Sequence, residues 1–166
     1  MSTLDKSRKT VRAAELLELG LRTSIVAQET GLTAEAVRQI HREVNKASPK
    51  SGQLPDFESL LKTKCAQIEA VLLFAIYSKL IQNNHNKIDL QQLQKAYCFY
   101  QELRSELKLT NTSWKNFTIN EAWVLIRAFV TQQVSQSWCQ CGGCSLQLRD
   151  RQKIKCPFCG QKQTDA

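Results

Sequence analysis

The chain has 166 residues, 42% of them hydrophobic, and 23 basic groups against 15 acidic ones, a net charge of +8 at neutral pH. That length fits one compact domain, or a domain with a small appendage, and no uncharged apolar run reaches the ~18 residues of a membrane span. The opening stretch MSTLDKSRKT is basic but has no apolar segment behind it to make a secretory signal, so the expected location is cytoplasmic, with no membrane partner. In a reducing compartment seven cysteines point to metal or redox chemistry rather than disulfides, and the positive balance favours an anionic partner such as nucleic acid.

The expected fold is mainly α, with a helix-turn-helix-like N-terminal region over 1–47, a linker at 48–55, a helical core over 56–137 and a four-cysteine zinc-ribbon tail over 138–166. In chain order, residues 5–45 predict three short helices, about Asp5–Leu19, Arg22–Thr30 and Ala34–Asn45, broken at Gly20 and Gly31, where positive φ often ends a helix. Thr33 is placed to cap the third helix, with Glu35 in its first turn, where the macrodipole favours an acid. Ala36, Val37, Ile40 and Val44 turn inward, leaving Arg38, Gln39, His41, Arg42 and Glu43 outside.

Within TSIVAQETGLTAEAVRQIHREV the spacing is that of a helix-turn-helix: small Ala27, turn Gly31, and apolar Val37 and Ile40 to lock the second helix. Thr30 stands where an apolar residue is usual. Arg and Gln make bidentate contacts to guanine and adenine edges, so Arg38, Gln39 and Arg42 are the candidate DNA-reading residues. The bland alternative is an ordinary helical hairpin with a glycine turn.

After the SPKSGQLP linker, Phe57–Gln82 predicts one long helix, apolar nearly all round over Ala70–Ile81, buried in the core or against a partner chain. Asp89 caps a further helix to about Leu107. Thr118 and Glu121 form a capping box for Ile119–Gln133, with helix expected up to residue 137. Cys65 and Cys98 read as small buried hydrophobes, and His41 and His85 as surface polar groups.

The tail CQCGGCSLQLRDRQKIKCPFCGQ holds five of the seven cysteines. Cys156-Pro-Phe-Cys159-Gly160 has the form of a zinc knuckle, and Cys141-Gly-Gly-Cys144 repeats its spacing. The 11 intervening residues suit a β-hairpin with its turn at Arg149–Gln152 and Leu146, Leu148 and Ile154 inside. One structural Zn2+ on four thiolates is the expectation; an iron–sulfur cluster and a thiol–disulfide pair are the rivals. Four thiolates leave no open position for water. With no nucleophile–base set or phosphate loop, no enzyme is expected. Arg149, Arg151, Lys153 and Lys155 alternate along the hairpin as a candidate phosphate-binding edge.

Taken together, AAELLELGLRTSIVAQETGLTAEAVRQIHREV, SPKSGQLP, LQKAYCFYQEL, EAWVLIRAF and the terminal cysteine pairs make a chain that resembles the FlhC family of bacterial flagellar transcriptional activators. The resemblance implies a DNA-binding activator acting as a hetero-oligomer with an FlhD-like subunit on double-stranded promoter DNA, engaging RNA polymerase, with a four-cysteine zinc site near the C-terminus. Related pairs look to serve conjugative elements, so flagellar and transfer genes are both candidate targets. Two departures bear on this. Trp138 stands where the family pattern has the first cysteine, so the fourth ligand is Cys144, favoured for its C-x-x-C bite, or Cys139 through C-x-C. Only seven residues follow Cys159, which leans toward a mobile-element regulator. A zinc-ribbon adaptor binding protein or RNA, without reading duplex DNA, is the competing class.

Overall fold

A computed structural model describes residues 2–49, 52–81, 87–149 and 155–161. Among these, seven helices precede a two-stranded antiparallel sheet, and the chain divides into two compact units, Met1–Gln53 and Leu54–Ala166.

In the first unit α1 (Thr3–Glu18), α2 (Thr23–Thr30) and α3 (Ala34–Asn45) lie within a residue or two of their predicted bounds. The end of α1 shows why. Gly20 takes φ +86°, so its amide bonds the Leu17 carbonyl while the Leu21 amide reaches Leu16, satisfying carbonyls the helix would leave bare. Gly31 does the same for α2 at φ +67°, its amide 3.0 Å from the Ala27 carbonyl. The Thr33 hydroxyl accepts the Ala36 amide at 3.3 Å and starts α3. Ala13, Leu16, Leu17, Leu21, Ile25, Val26 and Val37 form the core of this unit. Thr30 is buried with them because its hydroxyl donates to the Val26 carbonyl at 2.6 Å and accepts from the Leu32 amide, so no polar group is stranded.

The second unit corrects one prediction at once. Instead of one helix over Phe57–Gln82 there are two, α4 (Phe57–Leu60) and α5 (Lys64–Leu80). Each has its own cap: Asp56 accepts the Ser59 amide at 2.7 Å and Thr63 accepts the Ala66 amide at 3.1 Å, with Thr63 itself extended. Two cap-forming side chains seven positions apart stop and restart the helix, although the apolar pattern runs through both. The inward face of α5 is Ala66, Ala70, Leu73, Phe74 and Tyr77; Val71, Leu72, Ile76 and Leu80 are half-buried.

Asp89 caps α6 (Leu90–Glu106) by accepting from Gln91 and Gln92, as expected. Helix α7 (Ile119–Val130) carries the predicted capping box and buries Trp123 and Ile126, while Phe129 packs against Phe74 with the rings tilted by 57° and centroids 4.1 Å apart. The helix stops short of residue 137. Gln132 takes φ +57°, and strand β1 (Val134–Trp138) follows, paired with β2 (Cys144–Leu148) from Val134↔Leu148 to Trp138↔Cys144. Val134 and Leu146 are buried, so the sheet shares the core of its unit. Cys65 is half-buried and Cys98 exposed, which corrects the reading of Cys98 as a buried hydrophobe; His85 lies outside the described residues.

The capping box yields a stability prediction. Burial works against the Glu121 carboxylate, but the Thr118 amide and the Lys115 ammonium 3.0 Å away hold it below the usual carboxylate range. Thr118→Ala is expected to cost about 1 kcal/mol in urea unfolding at neutral pH. Because Glu121 has the lower pKa when folded, its share is complete at neutral pH and is lost as pH falls through that folded value. The difference between wild type and Glu121→Gln should therefore shrink in acid, which parallel unfolding curves would check.

Candidate metal centre and the exposed face of α3

The β1–β2 turn and the Cys156–Gln161 turn each supply two thiols. In the first, the Cys139 amide donates to the Gly143 carbonyl at 2.8 Å and the Gly142 amide to the Cys139 carbonyl at 2.9 Å, with Gly142 at φ +81°. Gly143 allows no side chain, since a Cβ there would lie 2.6 Å from Phe158 Cδ2 and 3.2 Å from Cys141 Sγ. The diglycine thus lets the two turns close on one another. In the second, Cys156 and Gln161 pair through backbone at 2.8 Å, and Gly160, at φ +79°, donates to the Cys156 carbonyl.

Four sulfurs converge there: Cys139, Cys141, Cys156 and Cys159 all lie within 4.8 Å of one another. Cys139 Sγ is 3.6 Å from Cys159 Sγ, and Cys141 Sγ is 3.7 Å from Cys156 Sγ. Thiolates held tetrahedrally at ~2.3 Å from a zinc ion stand about 3.8 Å apart, so the set fits such an ion and could hold one.

Cys144, the ligand favoured from the spacing, is outside this group, which is a correction. It belongs to β2, paired with Trp138, and is buried at 7% exposure with its sulfur 3.9 Å from the Ser145 carbonyl. Burial pushes its thiol pKa up, against a lowering hydrogen bond from Gln136. The strand that Cys144 joins begins one residue after the turn that carries Cys139 and Cys141. The predicted hairpin also moves: the strands flank the first cysteine pair, while the proposed turn residues 150–152 lie outside the described residues.

The thiols interact strongly. At Cys141 the Gly143 amide favours the thiolate, but the neighbouring thiols of Cys159, Cys139 and Cys156 push it up to about 12. At Cys156 burial opposes ionisation, yet the amides of Cys159 and Phe158 bring it down to about 7. A divalent cation bound by thiolates there would displace thiol protons, so binding would release protons.

Of the candidate phosphate-binding residues, Arg149 follows β2, exposed, with Nη1 3.4 Å from Gln132 Oε1; Lys155 is exposed beside Cys156; Arg151 and Lys153 lie outside the described residues. Two rings that the spacing did not single out are also exposed here, Trp138 at 68% and Phe158 at 52%. Their signal was their position, next to or between the cysteines.

In the first unit Arg38, Gln39 and Arg42 are all exposed on α3, as expected, while Val37 is buried and Ala36, Ile40 and Val44 are half-buried. They are not free: Arg38 Nη1 is 3.1 Å from Glu35 Oε2, Arg42 Nη1 is 3.9 Å from Glu35 Oε1, and Gln39 Nε2 donates to Glu43 Oε1 at 3.2 Å. His41 Nδ1 is 3.1 Å from the Ala47 carbonyl.

This is a mainly helical protein that ends in a four-thiol centre of metal-binding geometry, and none of the helices searched among the described residues is long and apolar enough to cross a membrane. Residues 1–164 match the family described as "Flagellar transcriptional activator (FlhC)", and the chain belongs to the FlhC family. Among its relatives is the flagellar transcriptional regulator FlhC of Verminephrobacter eiseniae, 29% identical over 86% of this chain and 75% of that one. Those of Paraburkholderia phymatum (28% identical, 86% of this chain and 63% of that one) and Burkholderia lata (32%, 74% and 56%) bear the same name. The match thus spans less than two thirds of the latter two.

Proposed function

We propose that the chain is a cytoplasmic, DNA-binding transcriptional activator. It works as a hetero-oligomer with an FlhD-like subunit on promoter DNA, engages RNA polymerase, and activates flagellar or conjugative-transfer genes. In this reading α2 and α3 form a helix-turn-helix, with Arg38, Gln39 and Arg42 reading base edges. One structural Zn2+ sits on Cys139, Cys141, Cys156 and Cys159, and Arg149, Arg151, Lys153 and Lys155 add phosphate contacts. The observation that carries the reading is the exposed Arg38/Gln39/Arg42 face of α3 on a chain that matches the FlhC family over nearly its whole length. The net charge of +8 supplies the attraction to DNA.

The test compares two substitutions in the full chain with its FlhD-like subunit. Arg38→Ala is expected to cost about 1–3 kcal/mol on a selected promoter duplex and little on a scrambled one, since base contacts specify. Lys155→Ala should weaken both alike. Unchanged promoter binding by both variants would defeat the assignment. It would favour the adaptor class, for which the exposed Trp138 and Phe158 are the surface to probe. Mapping of genome-wide binding sites separates flagellar from transfer promoters.

A further inference from the structure

The acidic partners of the α3 face have a consequence that goes beyond which residues read DNA. Glu35, Arg38 and Arg42 are spaced i, i+3 and i+7, so they form one stripe along the helix, and one carboxylate serves both guanidinium groups. Gln39 and Glu43, at i and i+4, make a second pair beside it. The Glu35 side chain is 71% exposed and those of Arg38 and Arg42 are 51% and 57% exposed. Ion pairs this wet contribute little to folding. The first-turn position favours an acid at Glu35, but these wet ion pairs add little, so folding stability alone does not explain a carboxylate that engages both arginines of a candidate DNA-reading face.

We infer that Glu35 is a specificity-setting residue, which holds Arg38 and Arg42 for base edges and discourages their capture by phosphate. The inference rests on the reading of α3 given above. Its physical basis is the difference between the two acceptors. A phosphate competes with Glu35 for the same cations and is repelled by its charge, so non-specific contact exchanges one anion for another. A guanine edge offers neutral O6 and N7 acceptors. Arg38 engages Glu35 through Nη1, and a guanidinium has five donors in a rigid fork, so the remaining N–H groups can meet a base while the carboxylate stays in place. Thr33 caps the helix two residues before Glu35, which lies in the first turn at the positive end, where its charge is favoured.

The experiment uses the full chain, with the FlhD-like subunit where the two copurify. The probes are a duplex selected from a randomised library by the wild-type protein and a scrambled duplex of equal length and composition. Glu35→Gln keeps the size and removes the charge. It is expected to raise affinity for the scrambled duplex about three- to tenfold and to steepen its log–log salt dependence by about one. Affinity for the selected duplex should change by less than about twofold, so the specificity ratio falls. In an Arg38→Ala/Arg42→Ala background the same substitution should do no more than Glu18→Gln, a control for loss of one negative charge in this unit. Parallel shifts on both duplexes, or an equal effect from Glu18→Gln, would overturn the inference while leaving the DNA reading intact. If Arg38→Ala alone leaves the selected duplex bound as before, the reading of α3 falls first, and the role of Glu35 falls with it.

Discussion

Cys139→Ser is expected to abolish chelator-resistant zinc binding, whereas Cys144→Ser should retain one zinc per chain. The four sulfurs that converge are those of Cys139, Cys141, Cys156 and Cys159. Structural zinc sites of this kind gain roughly 10–16 kcal/mol from the metal, shared over four thiolates, so losing one ligand lowers affinity by orders of magnitude. Cys144 is buried in β2, and serine there exchanges a small hydrophobe for a hydroxyl, at a cost of about 1–3 kcal/mol in stability but not in stoichiometry. Zinc per chain, measured after dialysis against a competing chelator, decides the matter. Metal lost from the Cys144 variant and kept in the Cys139 variant would show that the turn rearranges on binding and that the C-x-x-C pair is the true one.

The second large effect lies in the helical core. Glu69 on α5 has no exposure; it accepts two contacts from Arg104 Nε, at 3.0 and 2.8 Å, and a hydrogen bond from the Tyr100 hydroxyl. That hydroxyl also accepts the Phe117 amide at 3.3 Å, and Arg104 Nη2 donates to the Leu109 carbonyl at 2.9 Å. The network therefore ties α5 and α6 to the segment leading into α7. Burial and the adjacent Glu69 push the Tyr100 phenol above its ordinary range, so it stays a donor. Arg104→Leu is expected to destabilise the protein by about 3–5 kcal/mol in denaturant unfolding, because it leaves a buried carboxylate uncompensated. The Glu69→Leu/Arg104→Leu double variant should regain most of that loss, since removing both charges also removes both desolvation penalties. A single variant that unfolds at the wild-type midpoint would mean that water reaches Glu69.

Much of the fold was legible because its signals are local. Thr33, Asp89 and the Thr118/Glu121 pair each satisfy amides within three residues of themselves, and a side chain of that type before an apolar period announces a helix start wherever it occurs. Gly20 and Gly31 end helices for a similarly local reason. The same signals were present at Asp56 and Thr63, but the continuous apolar run over them concealed the break. In α5 the surrounding apolar pattern carries no sign of the role of Glu69, a lone acid whose partner stands 35 positions further on. The exposure of the α3 face follows from its polar pattern, while the pairing of its arginines with Glu35 and of Gln39 with Glu43 depends on side-chain positions.

By itself, then, the sequence determined the helical class, the principal caps, the α3 polar face and the presence of two cysteine-bearing turns rich in glycine. Only the tertiary structure decided which four thiols meet. Spacing favoured Cys144, because C-x-x-C matches the other knuckle. The pairing of Trp138 with Cys144 instead makes Cys144 part of a strand, while Cys139 remains in the turn beside Cys141. Strand register depends on which side chains the sheet can bury, here Val134 and Leu146 within the core of the second unit. That choice is made by residues distant in the chain, and the spacing of the cysteines carries no record of it.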